Sequence, residues 1–515
     1  MIGRPWPNPA KREARMGELR WSAAAEAAAE IAAAWGPGEP GGGVAVFDAR
    51  ELRAEACGGV DSLAGGNAFS GDTVVRYASV TKHVFAALAL SQGGIGLDDR
   101  LGQLLPSLRG DLATVTAGRA LDMTGGLPDL GETLSLLGVP QGAAVSREES
   151  LEVLYRLTGL NFPSGHEISY SNTGYRLLDA ALLPRGTAFA DLVRDRIAGP
   201  LGIGFRVPET WLDPIRGLAP GYWKEAGGAW QLATSGRHLS ASGCLTGSLR
   251  DLVRWQQAVL ADRGPGQGLL ARLGATRTLA DGTPTGYGLG LAWSRLGARR
   301  LIGHGGSLLG YKTYFLLDPE QGVGAAVVSN REDTVSHGTA LKLMAALLGE
   351  DLPRPGTPIP DGLYVAEQGP GWLELKDGVA SVLGTGETLY PGEDGWSVSL
   401  SAHFPMRLRW TGEAVEGEIG HAARRFRPIA PDGVLDRVQG EWRCPDFHAA
   451  FTIAGERLEM GGPVRSSAPL LPLGGGRLLA EGREGAWPQR IGLAFDGDTA
   501  RLALNRSRVL RFQRR

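Results

Sequence analysis

Arg76-Tyr77-Ala78-Ser79-Val80-Thr81-Lys82-His83-Val84-Phe85-Ala86-Ala87-Leu88-Ala89-Leu90 is the stretch on which the reading of this chain turns. Up to Tyr77 it reads as extended chain, because Thr73, Val74 and Val75 are β-branched. From Val80 it reads as an apolar helix, with Val84 and Leu88 at helical spacing. Ser79 therefore lies where chain becomes helix, and Lys82 follows one turn later on the same face. A hydroxyl and an amine so placed can form a nucleophile–base pair, with the helix N-terminus adding its N–H groups beside the hydroxyl. A lysine inside so apolar a run needs a partner.

The chain's 515 residues exceed what one core can organise, so two to four domains are expected. A net charge of −2 gives no electrostatic case for nucleic acid or an anionic membrane as partner. Cys57, Cys244 and Cys444 form no metal spacing and no disulfide framework, and read as buried small hydrophobes. No metal or cofactor is called for. Ala23–Trp35 carries Glu26 and Glu30 and reads as an amphipathic helix, not as a signal peptide. No run of 18 apolar residues predicts a span, and a cytoplasmic enzyme is expected.

Around the Ser79 stretch, residues 44–47 and 52–56 read as a hairpin. Residues 94–270 are mostly helix and loop, with helices starting near Leu97 and over 148–157, 174–183 and 248–260. Strands return over 288–293, 311–317 and 323–329, and a helix over 334–348 closes the segment. First and last strands sharing one sheet, with a helical insertion between, make an α+β domain over residues 1–350. Leu352–Pro360 is a proline-rich linker. Beyond it, short alternating strands in two weakly echoing halves, 361–433 and 434–515, suit two small up-and-down antiparallel β-barrels.

Two further motifs bear on chemistry. Tyr170-Ser171-Asn172 precedes a helix. A tyrosine hydroxyl beside an ammonium has its anion favoured and could take the Ser79 proton, while the Asn172 amide could orient a substrate carbonyl. In Gly303-His304-Gly305-Gly306-Ser307, before the 311–317 strand, Gly305 and Gly306 let a substrate backbone approach. The backbone N–H of Ser307, with that of Ser79, could hold an oxyanion, and His304 adds a polar group beside it.

In the order Ser-x-x-Lys, Tyr-x-Asn, His-x-Gly, separated by about 90 and about 130 residues, these motifs resemble the penicillin-recognising serine hydrolases: class C β-lactamases, D,D-peptidases, esterases and D-aminopeptidases. The flanks Thr124-Gly125-Gly126-Leu127-Pro128-Asp129, Pro163-Ser164-Gly165 and Ser242-Gly243-Cys244-Leu245 agree, over roughly residues 20–350. The resemblance implies that Ser79 is acylated, that Lys82 and Tyr170 share the role of base, and that Asn172, His304, Gly305, Gly306 and Ser307 bind the substrate. His304 stands where many β-lactamases carry lysine, which argues against that activity, and Met123 stands where many relatives carry histidine. A hydrolase domain followed by two barrels resembles bacterial D-aminopeptidases, which release N-terminal D-residues from short peptides or amides. In them a loop of the last barrel selects a free amino terminus. Glu481 and Glu484, in the 480–488 loop, are the candidates to hold that ammonium. A homodimer is one assembly this reading allows. A carboxylesterase, a D,D-peptidase or β-lactamase-like hydrolase, and a non-catalytic binding protein with a vestigial hydrolase domain stay open as alternatives.

Overall fold

Six strands form the sheet that the sequence places around the Ser79 stretch. The computed structural model describes residues 18–461 and 466–515, which divide into two units. The first comprises residues up to Asp99, Tyr175–Thr278 and Gly282–Pro353, and the second Arg100–Gly174, Leu279–Asp281 and Arg354–Arg515.

In the first unit the strands are β1 (Gly42–Asp48), β2 (Leu52–Gly58), β3 (Ala292–Leu296), β4 (Arg299–Leu308), β5 (Tyr311–Asp318) and β6 (Val323–Ser329), in the spatial order β2-β1-β6-β5-β4-β3. The antiparallel register Val44↔Val327 joins the first strands to the last, as the α+β reading requires. Helices Trp21–Ala33 and Ser336–Leu348 cover one face, where Ala24, Ala28, Val44, Val46, Val327, Leu343 and Met344 are buried together. Helix Leu249–Leu260 starts on a capping box: the Ser248 hydroxyl accepts from the Asp251 N–H. Two expectations move. The strand expected over 288–293 begins only at Ala292, because Gly290 takes φ +80 and passes close to helix Thr81–Ser91; a Cβ there would lie 2.7 Å from the His83 nitrogen. The helix expected near Leu97 begins at Leu101, after Asp99 accepts from the Gly96 N–H in a turn.

In the second unit two eight-stranded antiparallel barrels close in sequence order, from Gly362–Ala366 to Ala422–Pro428 and from Gly440–Cys444 to Arg511–Arg514. Their closing pairs are Val365↔Arg427 and Trp442↔Arg514. They share apolar core, since Leu473, Leu479 and Ala503 of the second pack with Trp372, Leu389 and Phe426 of the first. Residues 100–174 group with these barrels by compactness. The 480–488 segment, expected as a loop, is a hairpin: strands Arg477–Glu484 and Trp487–Asp496 meet at Glu484↔Trp487, leaving only Gly485 and Ala486 to turn. Cys244 and Cys444 are buried and Cys57 is half-buried, all three unbridged. No described helix is long and apolar enough to cross a membrane, and no group of three or more His, Cys, Asp or Glu among the described residues could hold a metal ion.

Candidate active site

Ser79 sits in a tight turn, Ala78–Val80, that leads into helix Thr81–Ser91. Ala78 enters this turn at φ +50, a conformation that a residue with a Cβ seldom adopts. Its neighbours hold it there. The Tyr77 side chain is fully buried and its N–H donates to the Leu245 carbonyl at 2.8 Å. The Thr81 hydroxyl donates to the Ala78 carbonyl at 2.6 Å and accepts from the Leu245 N–H at 3.0 Å.

Lys82 is completely buried. Its Nζ donates to Ser79 Oγ at 3.0 Å and to the Ser242 carbonyl at 2.6 Å, and lies 5.3 Å from the centre of the Tyr175 ring. The partner that a lysine in an apolar run needs is thus in part a backbone carbonyl, which holds the amine without neutralising it. His83 stiffens the same helix: its Nε2 accepts from Trp255 Nε1 at 2.7 Å, and burial pushes its imidazole down to about 3, so it stays neutral.

His304, Gly305, Gly306 and Ser307 lie on β4 itself, not in a turn before the next strand. Pairing of β4 with β3 ends at Gly303↔Ala292, while pairing with β5 continues through Leu308↔Tyr311. Residues 304–308 therefore present a strand edge, the feature against which an extended substrate can pair. Gly306 faces the Ser79 turn so closely that a Cβ there would lie 2.1 Å from the Tyr77 carbonyl oxygen. His304 is buried, with Nε2 2.9 Å from the Tyr287 hydroxyl and Nδ1 2.7 Å from the Gly305 carbonyl. Ser307 Oγ accepts from Lys312 Nζ at 2.6 Å. Tyr287 is a partner the sequence did not mark, since a lone tyrosine after a glycine-rich turn carries no local signal.

The second unit holds Tyr170 and Asn172 in a braced segment. The Met123 carbonyl accepts from the Ser169 N–H at 3.0 Å, and its sulfur from the Ser171 N–H at 3.3 Å. The methionine thus has a structural part. The Asn172 N–H donates to Asp129 Oδ2 at 2.9 Å, and Asp129 Oδ1 caps helix Leu130–Leu136 by accepting from the Glu132 N–H. Tyr170 is 8% exposed, and its ring is met edge-on by His403 at 5.2 Å and on its face by Arg506 at 4.9 Å. Both arrive from barrel loops, which sequence periodicity cannot aim. Glu481 and Glu484 already have protein partners. Glu481 binds Arg490, and Glu484 accepts from the Gln489 amide and the Gln141 N–H.

The Beta-lactamase family model matches residues 27–349. The D-aminopeptidase of Brucella canis is 29% identical over 348 residues, covering 65% of this chain and 63% of its own length; the chain thus spans less than two thirds of that relative. The D-amino acid amidase from Ochrobactrum anthropi SV3, complexed with L-phenylalanine amide, has a similar fold: TM-score 0.52, 23% identity, 64% of this chain and 98% of its own. The octameric penicillin-binding protein homologue from Pyrococcus abyssi aligns over 92% of this chain and 95% of its own, at TM-score 0.52 and 17% identity. With the Ser79–Lys82 pair in place and the family model matching more than half of its residues, the chain belongs to the Beta-lactamase family.

Proposed function

We propose that this protein is a serine hydrolase that works through an acyl-enzyme and releases N-terminal D-residues, D-alanine-like or glycine, from short peptides or amides. The observation that carries the reading is the buried Lys82 amine 3.0 Å from Ser79 Oγ. That placement suits the amine to take part in moving the hydroxyl proton as Ser79 attacks the substrate carbonyl. Tyr170 shares that proton transfer. Asn172 orients the carbonyl, and the backbone N–H groups of Ser79 and Ser307 receive the oxyanion. The edge of β4 at residues 304–308 pairs with the substrate backbone, and His304, tied to Tyr287, lines it. The proton goes on to the leaving amine, and water then releases the acyl group from Ser79 by the same path reversed.

The names of the relatives support the D-amino substrate class. Glu481 and Glu484 stay candidates for the substrate ammonium, although each would have to share it with a present partner. The deciding experiment is a turnover panel of D-Ala, L-Ala and Gly p-nitroanilides beside p-nitrophenyl esters. Mass spectrometry of a fluorophosphonate adduct on the Ser79 peptide accompanies it. Cleavage of the D-Ala anilide with the adduct on Ser79 is expected. An adduct on another serine overturns the mechanism, and turnover of esters alone overturns the substrate class.

A further inference from the structure

The loop between strands Thr499–Ala503 and Arg511–Arg514 of the last barrel is pinned to the Tyr170 side of its unit by its main chain. The Arg506 N–H donates to Glu132 Oε2 at 2.6 Å. The Arg506 carbonyl accepts from the Asp129 N–H and from Asn161 Nδ2, each at 2.8 Å. The Arg508 N–H donates to Asn161 Oδ1 at 2.8 Å, and the Ser507 and Thr133 hydroxyls are 2.8 Å apart. Asp129 in turn holds the Asn172 N–H. One short chain of hydrogen bonds thus ties the loop to the Tyr-Ser-Asn segment. The Arg506 side chain extends from that anchored backbone to lay its guanidinium over the Tyr170 ring, 4.9 Å from the centroid.

Such a cation is attracted to a neutral aromatic ring and far more strongly to the phenolate. Its counter-charges are weak. The charge of Arg506 reaches two carboxyls, Glu132 and Glu387, and burial pushes each up to about 7. Both are therefore largely neutral on the acid side of neutrality, where Arg506 is least compensated. His403 also meets the same ring, edge-on, and Asp129 is engaged with the Asn172 backbone.

We propose that Arg506 is a positioning residue for proton transfer at Tyr170, fixing the ring and favouring its phenolate. This rests on the reading of Tyr170 as part of the base. A guanidinium held 4.9 Å from the ring centre, partly screened by solvent, is expected to move the titration of the phenol by about one pH unit, or tenfold in rate on the acid side.

The test uses Arg506→Met, Arg506→Lys and Glu387→Gln in the full chain, with Tyr170→Phe as the blank. Two quantities are read. One is the Tyr170-dependent tyrosinate absorbance against pH, recorded in the Ser79→Ala background, where no turnover is needed. The other is the pH profile of kcat/KM for D-Ala p-nitroanilide. Arg506→Met should move both midpoints up by about one pH unit, with activity recovering at high pH. Arg506→Lys should return part of the shift, and Glu387→Gln should move down a midpoint that lies above about pH 7, where Glu387 is charged. Unmoved midpoints in a folded Arg506→Met, or a rate loss equal at every pH, overturn the proposal. Should Arg506→Met fail to fold, Arg506→Gln takes its place, and unmoved midpoints in that variant overturn the proposal as well. Failure of a fluorophosphonate to label Ser79 refutes the hydrolase reading instead, and the absorbance titration still decides on Arg506.

Discussion

Gly306→Ala tests whether the closeness of β4 to the nucleophile turn is what sets Ser79. A Cβ at Gly306 would lie 2.1 Å from the Tyr77 carbonyl oxygen and 3.1 Å from Ala78 Cβ. Both obstacles are stiff. One is backbone, and both belong to the turn that holds Ala78 at φ +50. Tyr77 cannot swing aside, because its ring is fully buried and its N–H is bonded to Leu245. The strand and the turn must part by about 1 Å to restore van der Waals contact, at a cost of about 1–3 kcal/mol. A displacement of that size at a reacting atom lowers rate by about 100-fold. Gly305→Ala is the matched control, since its Cβ would meet Tyr314 ring atoms at 2.6 Å, a half-buried side chain that can turn away. The assay is the second-order rate of fluorophosphonate labelling of Ser79, read with a urea midpoint for each variant. Gly306→Ala should label about 100-fold more slowly while remaining folded, and Gly305→Ala should stay within about tenfold of the parent. Equal labelling by parent and Gly306→Ala would refute the argument that this contact fixes Ser79.

Three further outcomes follow from the same geometry. Lys82→Ala and Tyr170→Phe should each lower kcat by orders of magnitude, and the double variant should be little worse than the poorer single, because groups sharing one proton transfer are non-additive; fully multiplicative losses would assign them to separate steps. Tyr287→Phe removes the 2.9 Å contact to His304 and should raise KM for the D-Ala anilide several-fold with a smaller change in kcat; unchanged KM would separate His304 from substrate binding. Glu132 is held protonated to about pH 7 by burial, against a usual value of 4.5. Between those two pH values the folded chain binds the extra proton, so the stability Glu132 contributes is present below pH 4.5 and lost as pH rises through 7. Glu132→Gln keeps an oxygen for the Arg506 N–H and should flatten that loss, making the variant more stable than the parent at pH 8 by about 2–3 kcal/mol relative to the comparison at pH 4. Parallel stability curves for the two proteins would show that Glu132 does not titrate with folding.

Local chemistry is what the amino-acid sequence determined by itself. β-Branched residues ahead of Ser79 and helical spacing after it placed a hydroxyl and an amine one turn apart, because helix geometry is fixed by adjacent residues. Alternation of apolar and polar residues with short turns marked the region beyond the linker as two halves of short antiparallel strands, because a strand's faces are set by a period of two. The helix over 248–260 and the linker prolines were equally legible. Tertiary structure decided whatever depends on distant chain. It brought the Ser242 carbonyl to Lys82, Tyr287 to His304, and Arg506 and His403 to the Tyr170 ring. It made residues 304–308 part of a strand whose outer partner stops at Gly303, and it turned the segment at 480–488 into a tight hairpin with Glu481 and Glu484 already bonded. It also bent the chain at Gly290, where the expected strand would have struck the nucleophile helix. The Ser242, Arg506 and His403 contacts have no local signal, because each joins residues more than a hundred positions apart, which meet only when the chain is packed.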